Sequence, residues 1–392
     1  MTRRHPSPDG PDEPIVSMPR SAGWRKRWFK SVGIPQMPNL SDVPTAASTA
    51  AFAATDSNLS ASSLAEHVLS QYTLGVISRC RLHARGLNDT YKVETERGKT
   101  YYLRVYYAGR RSREAIGTEI AILLHIAQQN VNVSAPVGRT DGEFLTPLDC
   151  VEGLRWAVLF TAAPGKELRR KNYTEKLAEH YGETAAAIHH AADSFKGPQQ
   201  RPALDLERLL ERPLRLVTSA IVHRPEDVAY VEELGERLKT RIQGMADLEF
   251  GFCHGDFKGG NACESDGSFT FFDFDCSGWG YRAYDLAVFP WAFAIDECTS
   301  ERIEAMGRSF LGGYMRHRKV SDNDIDVIPA FVAIREIWLL GLHIDLGNQF
   351  GWGLTNDGYY DYHFKVLRDW DKNVLGRYDA GWLRESRMMN KN

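Results

Sequence analysis

The sequence lacks the features that mark disulfide-rich, zinc-binding, secreted or membrane-spanning proteins. Its six cysteines form no Cys-x-x-Cys pair, and no histidine cluster has zinc-ligand spacing. Free thiols in a reducing compartment are therefore the expected state of these cysteines. We also find no apolar run of bilayer length and no apolar segment near the start that resembles a secretory signal. These absences predict a soluble, cytoplasmic protein without a membrane span.

Charge and further missing motifs exclude other classes of protein. The formal net charge is only -3, so neither nucleic acid nor an anionic membrane surface is expected as the main partner. No G-x-x-x-x-G-K-[ST] motif is present, which excludes a P-loop nucleotide site, and no internal repeat is found. A chain of 392 residues with 43% hydrophobic content suggests two packed lobes. The sequence leaves the oligomeric state open.

The first part of the chain divides into a tail and a small lobe. Residues 1–60 are predicted to be a disordered tail and linker, because "RRHPSPDGPDEP" and "VPTAASTAAFAATDSNLSASS" are polar or small and lack an apolar period. Residues 61–163 are predicted to form the small lobe. It would hold the helices "SLAEHVLSQYTLG" and "RSREAIGTEIAILLHIAQQ", the strands "TYKVET" and "TYYLRVYY", and two more strands near 143–147 and 155–161. The stretch "AAPGKE" then ends the pattern like a linker.

Residues 164–380 are predicted to form a large, mainly helical lobe, and residues 381–392 a C-terminal tail. A short β segment around residues 268–274 interrupts the helices. The predicted fold class is therefore α+β, with a small β-rich lobe and a large helical lobe. Four segments carry apolar residues at helical spacing: "TEKLAEHYGETAAAIHHAADSF", "PEDVAYVEELGERLKTRIQGM", "ERIEAMGRSFLGGYMRHRK" and "IPAFVAIREIWLLGLHIDLGNQF".

Two loops near the short β segment concentrate polar side chains. The first, "FCHGDFKGGN", is rich in glycine and so is not a helix interior. In it, Asp256 could accept a proton from a hydroxyl, Asn261 could offer a neutral oxygen to a hard cation, and Lys258 could neutralise a phosphoryl group. The second, "FFDFD", places Asp273 and Asp275 after an apolar strand, where a carboxylate suits Mg²⁺. A base, a cation site and a lysine are the components of phosphoryl transfer.

The run His254-Gly255-Asp256, then Asn261, then Asp273-Phe274-Asp275 resembles the kinase-like phosphotransferase superfamily. Its members include aminoglycoside phosphotransferases, choline kinases and type II homoserine kinases, and it shares its fold with eukaryotic-type protein kinases. The following stretch, "GWGYRAYDLAVF", also resembles the family's segment after the metal aspartate. The resemblance implies a bilobal protein-kinase-like fold, ATP and Mg²⁺ as cofactors, and a hydroxyl group as the acceptor.

Carried over residue by residue, the resemblance implies a role for each polar residue of the two loops. Asp256 is implied as the catalytic base, and Lys258, at the spacing D-x-K-x-x-N, as a contact to the γ-phosphate. Asn261 and Asp273 are implied as the ligands of Mg²⁺. The resemblance also implies structural support of the site by two residues, His254 and Asp285.

In the small lobe the resemblance implies a nucleotide site. Gly86, in "ARGLNDTYKVET", lies where the family has its nucleotide-covering turn. Arg104, in "TYYLRVYY", takes the place of the usual lysine, and arginine can clamp phosphates through two hydrogen bonds. Its expected partner is Glu119 on the next helix, with Glu114 as the alternative. Contacts to the nucleotide base are expected from the linker, through the backbone of Phe160 and Ala162.

The acceptor site is expected in the helical lobe, facing the catalytic loop. Candidate contacts lie in "EIWLLGLHIDLGNQFGWG" and in the second loop, and the tryptophans of this stretch could hold an amine. An equally strong alternative is that Trp338 packs in the core while its polar neighbours face water. The candidates are Asp275, Glu336, Trp338, His343, Asn348 and Trp352.

Three functions are compatible with these residues. The first is a kinase for a small hydroxyl compound, such as an amino alcohol, a hydroxy amino acid or a sugar-like acceptor. The second is a protein serine/threonine kinase, although "CSGWGYRAYDLA" is too short for an activation segment. The third is a nucleotide-binding regulator without transfer activity, which the intact Asp256, Asn261 and Asp273 disfavour. Acids and bases are nearly balanced from Arg282 onward, so a polycationic drug is not the expected acceptor.

Overall fold

A five-stranded antiparallel sheet forms the small lobe. The computed structural model describes residues 53–296, 299–351, 353–375 and 380–387, so most of the predicted N-terminal tail lies outside the described residues. The strand order is β1-β2-β3-β5-β4, with helix α2 (Arg113–Gln128) between β3 and β4. The strands are β1 (Ile77–Arg85), β2 (Asn88–Thr95), β3 (Thr100–Tyr106), β4 (Thr146–Cys150) and β5 (Gly153–Thr161).

Alternation of buried and exposed residues identifies the central strands of the sheet but not the edge strand β1. In β2, Tyr91 and Val93 are buried, and the residues between them are partly exposed. This period of two is the sequence signal of a half-buried strand. Strand β1 was not predicted, because no residue along it is fully buried and charged residues crowd it. Such charge is typical of an edge strand, where it discourages pairing with other chains.

The chain just before helix α1 (Ala61–His67) packs on this sheet. Ser57 donates from its amide N–H and its hydroxyl to Glu152 Oε1, at 3.1 and 2.9 Å. Arg155 Nη1 in turn donates to the Ser57 carbonyl at 3.0 Å, and the Tyr91 hydroxyl donates to the Leu59 carbonyl at 2.8 Å. Residues 57–59, which we expected in the tail, therefore belong to the small lobe.

The large lobe is built from eight helices within the described ranges. A π-helical turn, Glu207–Glu211, leads directly into α4, and neither this turn nor α4 and α9 was predicted. The last helix lies in the expected C-terminal tail, but Leu383 is buried and fixes it to the core. The helices are α3 (Glu175–Asp193), α4 (Arg212–Ala220), α5 (Pro225–Gln243), α6 (Arg282–Ala294), α7 (Ser300–His317), α8 (Asp322–Phe350), α9 (Asp357–Asn373) and α10 (Gly381–Arg384).

Helix α8 is long and apolar enough to cross a membrane, contrary to our expectation from the sequence. It is the single helix of the described residues with that length and composition. However, 78% of its most apolar window is buried inside the fold, as in the core helix of a globular lobe. The residues that give α8 its hydropathy pack against α4 and α6. Its length therefore reflects its central position in the large lobe.

Two small sheets carry the polar loops. One pairs β7 (Phe250–Cys253) with β10 (Gly278–Tyr281), and the other has the order β6-β8-β9. The loop 254–261 runs from β7 to β8, and Asp273 lies two residues after the end of β9, which agrees with the predicted β segment. The strands of the second sheet are β6 (Lys166–Glu167), β8 (Ala262–Ser265) and β9 (Ser268–Phe271).

Helices α3 and α7 pack so closely that glycine is required on both. A Cβ atom added at Gly182 would lie 1.9 Å from the Phe310 carbonyl oxygen. One added at Gly313 would lie 2.0 Å from the carbonyl oxygen of Glu179. Both obstacles are helical backbone, which cannot move aside without separating the two helices.

We expect Gly313→Ala to destabilise the large lobe, because the added methyl group overpacks this contact. The free energy of unfolding, measured in urea, should fall by about 2–3 kcal/mol. Gly312→Ala is the matched control, since the nearest atom to its added Cβ is 3.9 Å away. That control should change the free energy by less than about 1 kcal/mol. Equal effects of the two substitutions would show that the helices are not in close backbone contact.

Candidate active site

The loop between β7 and β8 is held by the buried carboxylate of Asp285, on helix α6. The amide N–H of His254 donates to Oδ2 at 2.5 Å, and that of Gly255 donates to Oδ1 at 2.7 Å. His189 Nε2 lies 3.0 Å from Oδ2. Burial raises the pKa of Asp285 to about 7, although the two amide bonds lower it. The carboxylate thus fixes the backbone at the start of the loop.

His254 braces this loop from inside. Its Nδ1 accepts a hydrogen bond from the Asp256 amide N–H at 3.2 Å, and its Nε2 lies 3.1 Å from the Phe272 carbonyl oxygen. The proton must therefore sit on Nε2. Burial lowers the pKa of His254 to about 4, so the ring is neutral at physiological pH. This geometry fits the expected supporting role and leaves neither nitrogen for proton transfer.

Asp256 lies within a ring of hydrogen-bond donors. Its Oδ2 accepts from Asn261 Nδ2 at 2.7 Å and pairs with Lys258 Nζ at 3.1 Å, while Oδ1 pairs with Arg335 Nη2. Burial by itself raises the pKa of Asp256, but the two cations outweigh it and hold the pKa well below its usual range. Among the described residues Arg335 is the one donor on Oδ1, so a lone pair of that oxygen remains for a hydroxyl group.

Sequence reasoning missed Arg335, which helix α8 holds in place beside Asp256. Its guanidinium donates to the Gly255 carbonyl and to the Tyr284 hydroxyl, both at 3.1 Å. The rings of Trp291 and Trp338 lie 4.7 and 4.2 Å from it. A lone arginine inside the apolar run "FVAIREIW" was the available signal, because a buried charge requires a partner.

A chain of ion pairs links the small lobe to Asp273. Arg104 Nη1 donates to Glu119 Oε1 at 2.8 Å, and its Nη2 donates to Asp273 Oδ1 at 3.0 Å. Arg201 from the large lobe donates to the other oxygen of Glu119 at 3.1 Å. The structure therefore pairs Arg104 with Glu119 and leaves Glu114 exposed at the start of α2. Arg201 was not predicted.

Asn261 and Asp273 present oxygens that suit a hard cation. Both amide hydrogens of Asn261 are used, on the Asp256 backbone and side chain, which leaves Oδ1 as the atom it can offer. Asp273 has a left-handed backbone, with φ 63° and ψ 60°, and its side chain is 48% exposed. Partial burial at the side of the cleft, then the charges of Asp275 and Asp256, raise the pKa of Asp273 despite Arg104, and a bound cation would relieve the repulsion among the carboxylates. Among the described residues no three His, Cys, Asp or Glu side chains form a cluster, so a cation here would need phosphate oxygens as well.

The predicted nucleotide contacts lie on strands of the small lobe or next to them. Gly86 lies in the two-residue turn between β1 and β2, where its amide N–H donates to the Asn88 carbonyl at 3.2 Å. Phe160 is buried, with its ring 5.0 Å from the Arg104 guanidinium. The Ala162 amide N–H already donates to the Thr100 carbonyl at 3.3 Å. A base contact through this N–H would have to compete with that bond.

A cavity of about 550 Å³ opens beside the catalytic loop, and we call it the cleft cavity. Its walls are the loop after β3, the π-helical turn with α4, and residues 338–349 of α8, and it reaches Gly255. Trp338, Asn348 and the neighbouring Asp345 are among the residues of the predicted acceptor segment that line it. Trp352 lies outside the described residues.

The other predicted acceptor residues are placed elsewhere, which corrects the expectation. Asp275 is buried and paired with Arg111, whose Nη2 lies 3.2 Å from Oδ2. Glu336 is buried too, and accepts from Trp291 Nε1 at 2.7 Å and from His363 Nδ1 at 2.5 Å. His343 Nδ1 is bonded to Tyr359 at 2.6 Å. The helical spacing of residues in the sequence does not show which polar side chains are bonded in the core and which line the cavity.

Similarity to known proteins agrees with this geometry. Residues 79–319, more than half of the chain, match the phosphotransferase enzyme family. The chain belongs to this family. A homoserine kinase from Neisseria meningitidis is 27% identical over 271 residues, covering 67% of this chain and 81% of that enzyme. An uncharacterised protein from Deinococcus radiodurans is 37% identical over 290 residues, covering 74% of this chain and 83% of the relative.

Solved structures show the same fold. Amicoumacin kinase hAmiN, in complex with AMP-PNP, Ca²⁺ and Ami, superposes on this phosphotransferase with a TM-score of 0.67 and 18% sequence identity. The match covers 83% of this chain and 97% of that one. The predicted α+β, protein-kinase-like fold of two lobes is therefore confirmed. The chain is a kinase of the class that phosphorylates hydroxyl groups, as its sequence indicated.

We expect Glu119→Gln to weaken nucleotide binding, because it leaves two buried guanidinium groups without their carboxylate. The KM for ATP should rise about tenfold or more, and the melting temperature should fall. Glu114→Gln is the matched control, being the exposed glutamate at the first turn of the same helix. Its effect on either quantity should be less than about twofold. If both variants behaved alike, the Arg104–Glu119 pair would not be part of the nucleotide site.

Proposed function

We propose that this phosphotransferase moves the γ-phosphoryl group of ATP to a hydroxyl group of a small molecule, with Asp256 as the base. The observation that carries this proposal is the position of Asp256. It lies between Lys258, Asn261 and Arg335, directly after the Gly255 that lines the cleft cavity. A hydroxyl compound at the Gly255 end of the cavity would lie next to the residue that carries this carboxylate. We expect the reaction to take place in the cytoplasm, where ATP is available.

The low pKa of Asp256 defines how it can act. The carboxylate stays ionised at every working pH, but it is too weak a base to remove a proton from an alcohol in advance. Its first task is therefore to orient the hydroxyl oxygen toward the phosphorus atom. As the new O–P bond forms, the hydroxyl becomes acidic and its proton passes to Asp256, while the bond to the β,γ-bridging oxygen of ATP breaks.

The cations of the site balance the charge that this transfer spreads over phosphate oxygens. Lys258 reaches the cleft beside Asp256, and Arg104 carries its charge next to Asp273. Asn261 Oδ1 and the Asp273 carboxylate would hold Mg²⁺, which supplies further neutralisation of the phosphates when bound. The same chain of Arg104 and Glu119 keeps the nucleotide site assembled across both lobes.

The shape of the acceptor side favours a small molecule over a protein. The chain passes from Asp273 through β10 straight into α6, and β10 is paired with β7 along its whole length. The stretch between Asp273 and α6 is therefore too short to form a peptide-binding segment. The cavity volume of about 550 Å³ is typical of a small-ligand site. The homoserine kinase and amicoumacin kinase relatives are named for small acceptors, which supports the same class.

We expect Asp256→Asn to abolish phosphoryl transfer while nucleotide binding persists. An amide cannot accept the hydroxyl proton, so kcat should fall by about 10³-fold or more. ATP affinity, measured by calorimetry, should change less than about threefold, because the change lies on the acceptor side. Asp266→Asn, in the exposed β8–β9 turn, is the matched control and should keep full activity. Near-native turnover of Asp256→Asn would disprove the assigned base.

We expect Asp273→Asn to remove the magnesium-dependent part of ATP affinity. Asparagine tolerates the left-handed backbone that this position needs, so the loop should keep its shape. ATP binding is measured with and without Mg²⁺ in both proteins. The wild type should gain affinity with Mg²⁺, and the variant should gain less than about twofold through the loss of a charged ligand. An unchanged gain would place the cation elsewhere.

A further inference from the structure

The cleft cavity is lined by an excess of positive charge. Four arginines face it, Arg110 and Arg111 from the loop after β3, Arg208 from the π-helical turn and Arg212 from α4. The one acidic residue in its lining is Asp345. A cavity with this balance repels amines and attracts anions, and its low-dielectric walls strengthen both effects.

Two of the four arginines already have carboxylate partners. Arg111 pairs with Asp275, and Arg212 pairs with both oxygens of Asp345 at 3.1 Å. In the described part of the chain, no carboxylate lies within 4.0 Å of Arg110 or Arg208. Arg110 has only a long contact of 3.4 Å to Gln349, and its buried Nε has no hydrogen-bond partner among those residues. Two guanidinium groups in one cavity thus remain uncompensated.

The surroundings of Arg208 also indicate that negative charge is missing from the cavity. Burial, followed by the charge of Arg111, lowers the pKa of Arg208 to about 10. Burial likewise lowers the pKa of Arg110. Both guanidinium groups are repelled by Arg111, and an anion bound in the cavity would relieve that repulsion. The π-helical turn that carries Arg208 fits this interpretation, because such turns occur frequently at functional sites.

We propose that the acceptor is a dianion, a hydroxyl compound that carries a phosphate monoester held by Arg110 and Arg208. The proposal rests on the proposed function and names its substrate class. Arginine forks match phosphate oxygens through pairs of hydrogen bonds, and two uncompensated cations match a charge near -2. The volume of the cavity suits a phosphorylated polyol or sugar. The positive charge of the cavity makes it unsuited to the amino alcohols among the expected acceptors.

The reaction balances for this class of acceptor. The acceptor oxygen forms a bond to the γ-phosphorus of ATP as the bond to the β,γ-bridging oxygen breaks, and ADP departs with that oxygen. The hydroxyl proton passes to Asp256 and then to solvent. The product carries two phosphate groups, the original one on the arginines and the new one at the former hydroxyl.

The first test measures ADP release with Mg-ATP and two matched sets of acceptors. Each set contains a neutral parent, its terminal phosphate ester, a carboxylate and an amine. The first set is glycerol, its phosphate ester, glycerate and aminopropanediol. The second set is glucose, its phosphate ester, glucuronate and glucosamine. We expect kcat/KM for a phosphate ester to exceed that of its neutral parent by about 100-fold. In Arg208→Gln this preference should fall about 30-fold, and in Arg208→Lys by less, because lysine keeps the charge. Arg215→Gln, which changes an exposed arginine of α4, the helix that follows the turn of Arg208, should leave this preference unchanged.

Equal or better turnover of the neutral, carboxylate or amine member of a set would overturn the proposal. Transfer to that member, if lost in Asp256→Asn, would still support the proposed function, so the two failures are distinguishable. A second measurement does not depend on finding the acceptor. Binding of inorganic phosphate is measured by calorimetry in the presence of saturating Mg-AMP-PNP, which fills the nucleotide site.

We expect the wild type to bind inorganic phosphate and Arg208→Gln to bind it at least about tenfold more weakly. Arg215→Gln should bind it like the wild type. Acetate serves as the monoanionic comparison and should bind more weakly than phosphate. Absence of phosphate binding, equal binding in Arg208→Gln, or tighter binding of acetate would each contradict a dianion site at these arginines.

Discussion

The site depends on the two hydrogen bonds that Asp285 accepts from the amides of His254 and Gly255. This contact joins helix α6 to the start of the loop, and the loop then carries Asp256, Lys258 and Asn261 in a fixed order. Gly255 makes the approach possible, because its φ of +79° and the Cys276 carbonyl 2.3 Å from an added Cβ exclude any side chain. One buried carboxylate therefore positions three groups that it does not touch.

Buried arginines do most of the remaining positioning. Arg335 holds Asp256, Arg104 and Arg201 share Glu119, and Arg111 holds Asp275. Each of these pairs is removed from water, so each cation is tolerated only because a carboxylate or carbonyl accepts its hydrogens. Arg110 and Arg208 break this rule inside the same cleft. A fold that pairs its buried charges so consistently leaves these two open at the place where a substrate would enter.

Sequence analysis predicted the two lobes, the central strands and helices, and the two polar loops, because each has a local signal. Alternation marks β2, helical spacing marks α2, and the spacing of Asp256, Asn261 and Asp273 marks the loops. It failed for β1, whose charged edge shows no alternation, and for Glu336, whose partners lie far along the chain. Arg335 and Arg201 were missed for the same reason. Their importance comes from contacts between distant segments, which a pattern along the chain does not contain.

Helix α2 of the small lobe is anchored to the large lobe by hydrogen bonds. Beyond its end, the amide of Ser134 donates to the Phe271 carbonyl at 2.7 Å, and that of Phe271 donates to the Asn132 carbonyl at 3.1 Å. His125 lies 3.1 Å from the Ala191 carbonyl on α3, and Arg201 reaches Glu119. Helix α2 is anchored both along its length and through the segment that follows it. It therefore cannot swing away and separate Arg104 from Glu119, as the corresponding helix of a regulated protein kinase does. The Arg104–Glu119 pair is thus preassembled by contacts within the chain itself.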